Sequence, residues 1–262
     1  MRLMNDTLLP ASKHRKSRKK KSGLWENARS IGFAIALALI FRSLLFEPFH
    51  IPSGSMRSTL LEGDYIFISK YSYGYSRYSF PLGVMFDYFD GRTSGSLPER
   101  GDVVVFRLPN NPKIDYIKRV MALPGDTIRV SGGRVYLNEQ MLAYDRIEDF
   151  TYRESANQSS TVARYRETLP NGVAHAVLDA NRFGQVDNTS IYTVPEGHVF
   201  VMGDNRDHSI DSRYQEDVGF VPIENLLGRA EMILLSANMA NDAPFWQFWH
   251  WLRPNRFVQE IQ

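Results

Sequence analysis

Residues able to do chemistry gather in three short runs of this sequence, and a fourth run accompanies them. The first is PSGSMRSTL at residues 52–60, where glycine and small side chains around the Ser53 and Ser55 hydroxyls let another backbone approach closely. Plain turns use the same residues. The second is DYIKRVMALPGD at residues 115–126. Strand alternation puts Lys118 on the face of Tyr116 and Val120, opposite Ile117 and Arg119. A lysine in such a strand either lies at an edge with its ammonium in water or is buried. If buried, its pKa falls and it can accept a proton at neutral pH. A serine hydroxyl is a weak nucleophile that needs such a base beside it. The third run is GDNRDHSIDSR at residues 203–213, polar or glycine throughout except for Ile210. It reads either as a solvated turn or as a salt-bridged loop that holds a site together. The fourth, GDVVVFR at residues 101–107, reads as a core strand.

Other chemistries find less support. The chain has no cysteine, which removes disulfides, thiolate metal sites and a cysteine nucleophile. The six histidines (14, 50, 175, 198, 208 and 250) form no HExxH pattern, and no metal or other cofactor is expected. Neither GxGxxG, GxxxxGK[ST] nor the GxSxG elbow occurs. A Ser-His-Asp triad stays open, since His50, His198 and His208 lie near serines.

The elements that must position these residues follow from charge and hydropathy. The 262 residues carry a net charge of only +2, yet residues 1–23 hold eight Lys/Arg and one acid, leaving the remainder mildly acidic. A basic head suggests nucleic acid, anionic lipid or a topology signal. Residues 24–46 decide for the last. Twenty-three helical residues would span about 35 Å, enough for a hydrocarbon core of about 30 Å. Arg29 and Arg42 lie near the ends, where they can snorkel, and Trp25 falls where an interfacial aromatic belongs. A cleaved signal peptide would need a small-residue pair after the apolar run, and FRSLLFEP has none. A buried soluble helix fits the basic flank poorly. The expectation is an uncleaved transmembrane signal-anchor with residues 1–23 cytoplasmic, residues 47–262 outside, and no nucleic-acid partner.

Beyond Pro48 and Pro52, which should end the helix, the texture is short β-like runs between turn residues. They fall at 64–68, 102–107, 116–122, 127–130, 134–137, 192–194, 198–202 and 226–235. The expected fold is mostly β: one N-terminal transmembrane helix, then an all-β domain with inserted loops or hairpins. Residues 71–98, rich in Tyr, Ser and Gly, and the polar residues 151–171 read as those insertions. The tyrosines at 71, 73, 75 and 78 suit an amphipathic loop or hairpin, or an aromatic platform. The tail at 244–253 holds three Trp and two Phe, and reads as a membrane-interface segment or a helix docked on the core.

Taken together and in order, FEPFHIPSGSM, RGDVVVFRLP, DYIKRVMALPGD and GDNRDHSIDSR closely resemble the type I signal peptidases of bacteria, also called leader peptidases. The resemblance frames residues 24 to about 228. It implies a membrane-bound serine endopeptidase that removes signal peptides from exported preproteins, on a mostly β fold, at the extracytoplasmic face of a bacterial inner membrane. Ser55 would be the nucleophile and Lys118 its general base. Ser53 and the Ser55 N–H would form the oxyanion hole, and Ser209 would orient the lysine ammonium. Asp211 and Arg213 resemble a supporting ion pair, with Asp204 and Arg119 nearby. Shallow apolar subsites would select small side chains at −1 and −3. The lipid bilayer and the preproteins are the implied partners. One departure is Ser58, where the family usually has proline. Two rival readings are a soluble Ser/Lys autoprotease and an inactive membrane-tethered binding module.

Overall fold

The structure is a computed structural model that describes residues 23–80, 90–93, 95–155, 158–238 and 245–262. The chain divides into two compact units at residue 39. The helix α1 runs over Gly23–Leu44. Its window Asn27–Leu44 has a mean hydropathy of 1.3 and none of it is buried in protein, so it is long and apolar enough to cross a membrane. It ends two residues before the expected limit. Pro48 biases Glu47 toward extended backbone, and a strand starts at Phe46.

An antiparallel sheet of eight strands organises the second unit. Its members are β1 (Phe46–His50), β2 (Asp64–Ser69), β3 (Val103–Leu108), β4 (Asn111–Ala122), β5 (His198–Met202), β6 (Val221–Pro222), β7 (Leu226–Ser236) and β8 (Gln259–Glu260). The order is β1-β2-β7-β3-β4-β5-β6, with β8 also paired to β7. Pro48 is tolerated inside β1 because β1 is an edge strand, where a missing N–H breaks no ladder on the open side.

Side-chain alternation feeds separate apolar cores. Val104, Phe106, Val120, Val199 and Val201 pack with Tyr73 and Val218. Val103, Val105 and Ile117 pack instead with Met56 and Leu60 of the 52–60 run and with Ile51 and Ile66 on either side of it. Met121, Phe200 and Met202 join a smaller sheet formed by Thr127–Ser131, Arg134–Leu137, Gln140–Met141 and Tyr192–Thr193. The 52–60 run is therefore pinned by Ile51, Met56 and Leu60, each 2% exposed or less. At about 1.5–3 kcal/mol for each fully buried aliphatic side chain, these three anchors fix the loop between β1 and β2.

The two insertions are largely structured. Residues 150–171 form a hairpin, Phe150–Ser155 with Gln158–Val162, then the strand Arg164–Thr168 in a three-stranded sheet with Ala143–Arg146 and Ala174–Leu178. In the 71–98 region two short strands, Tyr75–Ser76 and Arg92–Thr93, pair between 3-10 turns; residues 81–89 and 94 lie outside the described residues. Tyr73 and Tyr78 are buried while Tyr71 is half exposed, so these tyrosines do not make one platform. The tail from Phe245 to His250 is 3-10 helix broken at Gln247. Trp246 and Trp249 point outward, 61% and 55% exposed, while Arg253 N–H donates to Ser236 O at 2.9 Å.

Candidate active site

Ser55 lies in a single 3-10 turn, Gly54–Met56, and is 8% exposed. Lys118 comes from β4, where the register sets it opposite Val104 of β3. Its Nζ donates to Ser55 Oγ at 2.8 Å and turns back to its own neighbour, Ile117 O, at 2.9 Å. The four-carbon stem lets the ammonium fold back along the strand, so Ile117 and Lys118 line one groove although alternation separates their Cβ atoms. Lys118 is 3% exposed, and burial lowers its pKa from 10.5 to about 8 despite the opposing pull of Asp211 and Asp204. His50 and His208 line the adjoining grooves, but the hydrogen bond that reaches Ser55 Oγ comes from the lysine.

Most of the polar run 203–213 is buried, contrary to a solvated turn, with His208 and Ile210 exposed. Asp204, Asn205, Arg206, Ser209, Asp211, Ser212 and Arg213 are each 5% exposed or less. Arg213 Nε donates to Asp211 Oδ1 at 2.8 Å, and Asp211 Oδ2 also accepts from Gly203 N–H at 3.0 Å. Burial alone would raise the Asp211 carboxyl; the Arg213 guanidinium and the Gly203 N–H outweigh it and hold it below the ordinary carboxylate range. Arg119, fully buried, donates to both Asp204 oxygens at 2.9 and 2.8 Å and to Gly101 O at 2.7 Å. Asp204 is likewise held low by Arg119 against its burial, and accepts from Thr59 Oγ1 at 2.6 Å. One ion pair thus ties β4 and the end of β5 to the loop that carries Ser55.

Ser53 is exposed at the mouth of the site, two residues before Ser55. Ser209 Oγ is buried beside the Asp211 carboxyl, which it helps to hold low, while Lys118 donates elsewhere. The Ser209 hydroxyl packs against Gly203. A Cβ on Gly203 would fall 2.2 Å from Ser209 Oγ and 2.5 Å from the Ser55 carbonyl oxygen, so only glycine allows that approach. Ser58, the departure from the usual proline, has φ of 104° and donates to Ala176 O at 2.6 Å. Proline holds φ near −65° and does not fit this backbone.

Sequence reasoning missed several supports. Asn205 N–H donates to Ser55 O and Asn205 Nδ2 to Gly54 O, both at 3.0 Å, fixing the turn from outside. Arg206 forks onto Glu167, and His175 lies 3.3 Å from the same carboxylate. Burial keeps His175 below its usual pKa, and Arg206 carries Glu167 down to about 2 against its own burial. Nothing near Glu167 signals this role, because its partner Arg206 lies 39 residues further along the chain.

Two grooves open beside Ser55. One, of about 520 Å³, is mostly apolar and runs between Phe49–Ser53 and Ile114–Lys118. The other, of about 800 Å³, passes Arg57, Glu62, Tyr152, Asn205 and Arg253. The first is flanked by strand edges: β1 ends the sheet, and β4 pairs with β5 only over Arg119–Ala122. An extended peptide can add to such edges through its backbone.

Comparison with known proteins finds similarity over most of the chain. A family model described as "Signal peptidase, peptidase S26" matches residues 24–235. Signal peptidase I of Rickettsia canadensis (strain McKiel) is 42% identical over 220 residues, 80% of either chain. Signal peptidase I of Rickettsia felis is 43% identical over 219 residues, 80% of this chain and 79% of that one. A crystal structure of signal peptidase I from Enterococcus faecalis V583 aligns with a TM-score of 0.31 and 28% identity, covering 52% of this chain and 98% of that one.

Proposed function

The chain belongs to the signal peptidase family, peptidase S26, and is a serine endopeptidase; from that premise we propose that it cleaves N-terminal signal peptides from exported preproteins, with Ser55 as nucleophile and Lys118 as general base. The observation that carries this reading is the 2.8 Å contact between Lys118 Nζ and Ser55 Oγ, made by an amine whose pKa burial lowers to about 8. About one lysine in ten is then neutral at pH 7, against about one in three thousand at the usual value.

Neutral Lys118 takes the Ser55 proton as Oγ attacks the carbonyl carbon. The developing oxyanion is received by the Ser55 N–H and the Ser53 hydroxyl, and each such donor typically contributes about 2.7–4 kcal/mol. The lysine ammonium then protonates the departing amine, leaving an ester on Ser55. A water activated by the same lysine hydrolyses it. Once Ser55 is esterified its Oγ is a poor partner for the lysine, which is neutral again after protonating the departing amine, and the buried Ser209 hydroxyl is the group we assign to orient that amine toward the attacking water. Asp211–Arg213 and Asp204–Arg119 act as positioning pairs. The apolar groove holds the end of the signal peptide as an added strand, its small side chains fitting shallow subsites.

The same reading anchors the enzyme through residues 24–46 in a bacterial cytoplasmic membrane, with residues 1–23 inside and residues 47–262 outside. Helix length, apolar surface and the basic head support it. Anchoring keeps the enzyme at the membrane where signal peptides emerge and raises effective concentration. The test is to incubate the purified full chain with a preprotein and sequence the new N-terminus. A single cut after a small residue, absent with Ser55→Ala, is expected; a cut that survives Ser55→Ala would overturn the assignment.

A further inference from the structure

The acyl half of the substrate fills one groove, yet two grooves meet at Ser55. The second, of about 800 Å³, begins at the same Ser53–Ser55 backbone and runs past Arg57, Glu62, Tyr152 and Arg253. A hollow of about 330 Å³ shares Tyr152, Asn205 and His208 with it and extends it further. An endopeptidase must hold polypeptide on both sides of the bond it cuts. If the apolar groove takes the residues before that bond, the chain after it must leave over the second.

We propose that the second groove, with a mixed polar and apolar lining, binds the first residues after the scissile bond as an extended chain, and that Tyr152 of the inserted hairpin, stacked on Arg57, is a specificity-determining wall of that subsite. This rests on the Ser55 reading and deepens it. Tyr152 is far from the dyad in sequence, yet the Arg57 guanidinium carbon lies 3.8 Å from its ring centroid. Arg57 is two residues after Ser55 and also forks onto Glu62. Held between a ring and a carboxylate, its guanidinium is a fixed plate, 16% exposed, at the groove floor.

Gly54 makes that arrangement possible. A Cβ there would come within 2.7 Å of Glu62 Oε1 and 2.8 Å of Arg57 Nη2. Arg253 fixes the Glu62 backbone, donating to Glu62 O at 2.9 Å and to Ser236 Oγ at 3.0 Å. An aromatic face, a guanidinium plate and the Asn205 amide suit a polar peptide of varied sequence better than an apolar one. The hairpin thereby acquires a use that a purely structural excursion would not have.

The test uses two peptides identical up to the scissile bond, one continuing for a single residue and the other for six. The wild type should cleave the longer peptide with the higher kcat/KM. Tyr152→Ala should lower kcat/KM for the long peptide about five- to tenfold, as loss of one stacked wall implies, and leave the short peptide within about twofold. Tyr152→Phe, which keeps the ring, should restore the difference. An equal loss on both peptides would make the hairpin a structural support and overturn the inference, and so would no loss on either. Cleavage that persists with Ser55→Ala would instead overturn the nucleophile assignment on which this subsite depends.

Discussion

Replacing Lys118 with methionine is expected to stabilise the protein at neutral pH while ending its activity. The ammonium is buried, and its pKa falls from 10.5 to about 8. At about 1.4 kcal/mol per pKa unit, holding the charge in the fold costs about 3 kcal/mol. Below pH 8 the lysine is protonated in both folded and unfolded chains, and the whole cost is present. Between about 8 and 10.5 the folded protein sheds the proton first, so unfolding takes one up and stability rises with pH. Above 10.5 no cost remains. Methionine has similar length and no proton, so the pH-dependent part of the difference between the two proteins should change by about 3 kcal/mol between pH 7 and pH 10.5. Asp211 and Asp204, which face the lysine, are held low and stay ionised over that range. Groups elsewhere titrate alike in both proteins and cancel. Denaturant unfolding of the full chain in detergent micelles at the two pH values measures it. A difference that does not vary with pH would show an ammonium in an ordinary, hydrated state and refute the reasoning. In the wild type, kcat/KM should rise with pH through about 8 in step.

Arg213→Ala leaves Asp211 buried without its partner and should cost about 3–5 kcal/mol, so thermal melts and activity should fall together. A stable but inactive variant would argue against a structural role for that pair. Ser209→Ala should lower kcat with little change in Tm, since the Asp211 carboxyl beside it keeps its Arg213 and Gly203 hydrogen bonds; full activity would remove it from the cycle. Gly203→Ala forces the Ser55 backbone aside and should lower kcat sharply, at a stability cost of about 1–3 kcal/mol read in denaturant titration. Ser58→Pro should destabilise by more than about 1 kcal/mol, because φ of 104° is closed to proline. Protease added to spheroplasts should digest residues 47–262 and spare residues 1–23; the reverse pattern would invert the topology.

Much of the frame was legible because strands with one buried face carry their period openly. The strands at 64–69, 103–108, 127–131, 134–137, 198–202 and 226–236 all lie within a residue or two of the runs read from alternation and turn residues. Phe46–His50 was not, because Pro48 reads as a helix stop and only its edge position makes a strand there possible. The strands from 143 to 178 were hidden by polar composition: they alternate weakly and form small peripheral sheets. At the site, Ser55 and Lys118 stood out by type and setting, and the structure brings them within 2.8 Å. The 203–213 run was ambiguous for a physical reason. Charge density alone does not separate a solvated loop from a buried network, and what decides is whether each charge finds a partner. Asp204 finds Arg119 across 85 residues and Arg206 finds Glu167 across 39, pairings no local pattern announces.

The central claim is that Ser55 forms the acyl intermediate and Lys118 activates it. An acylating serine-protease probe added to the full chain, followed by intact mass and peptide mapping, tests it directly. The account predicts one adduct, on Ser55, formed faster as pH rises through about 8 and nearly lost in Lys118→Ala with the fold intact. An adduct on another residue, or undiminished acylation of Ser55 in Lys118→Ala, would contradict it.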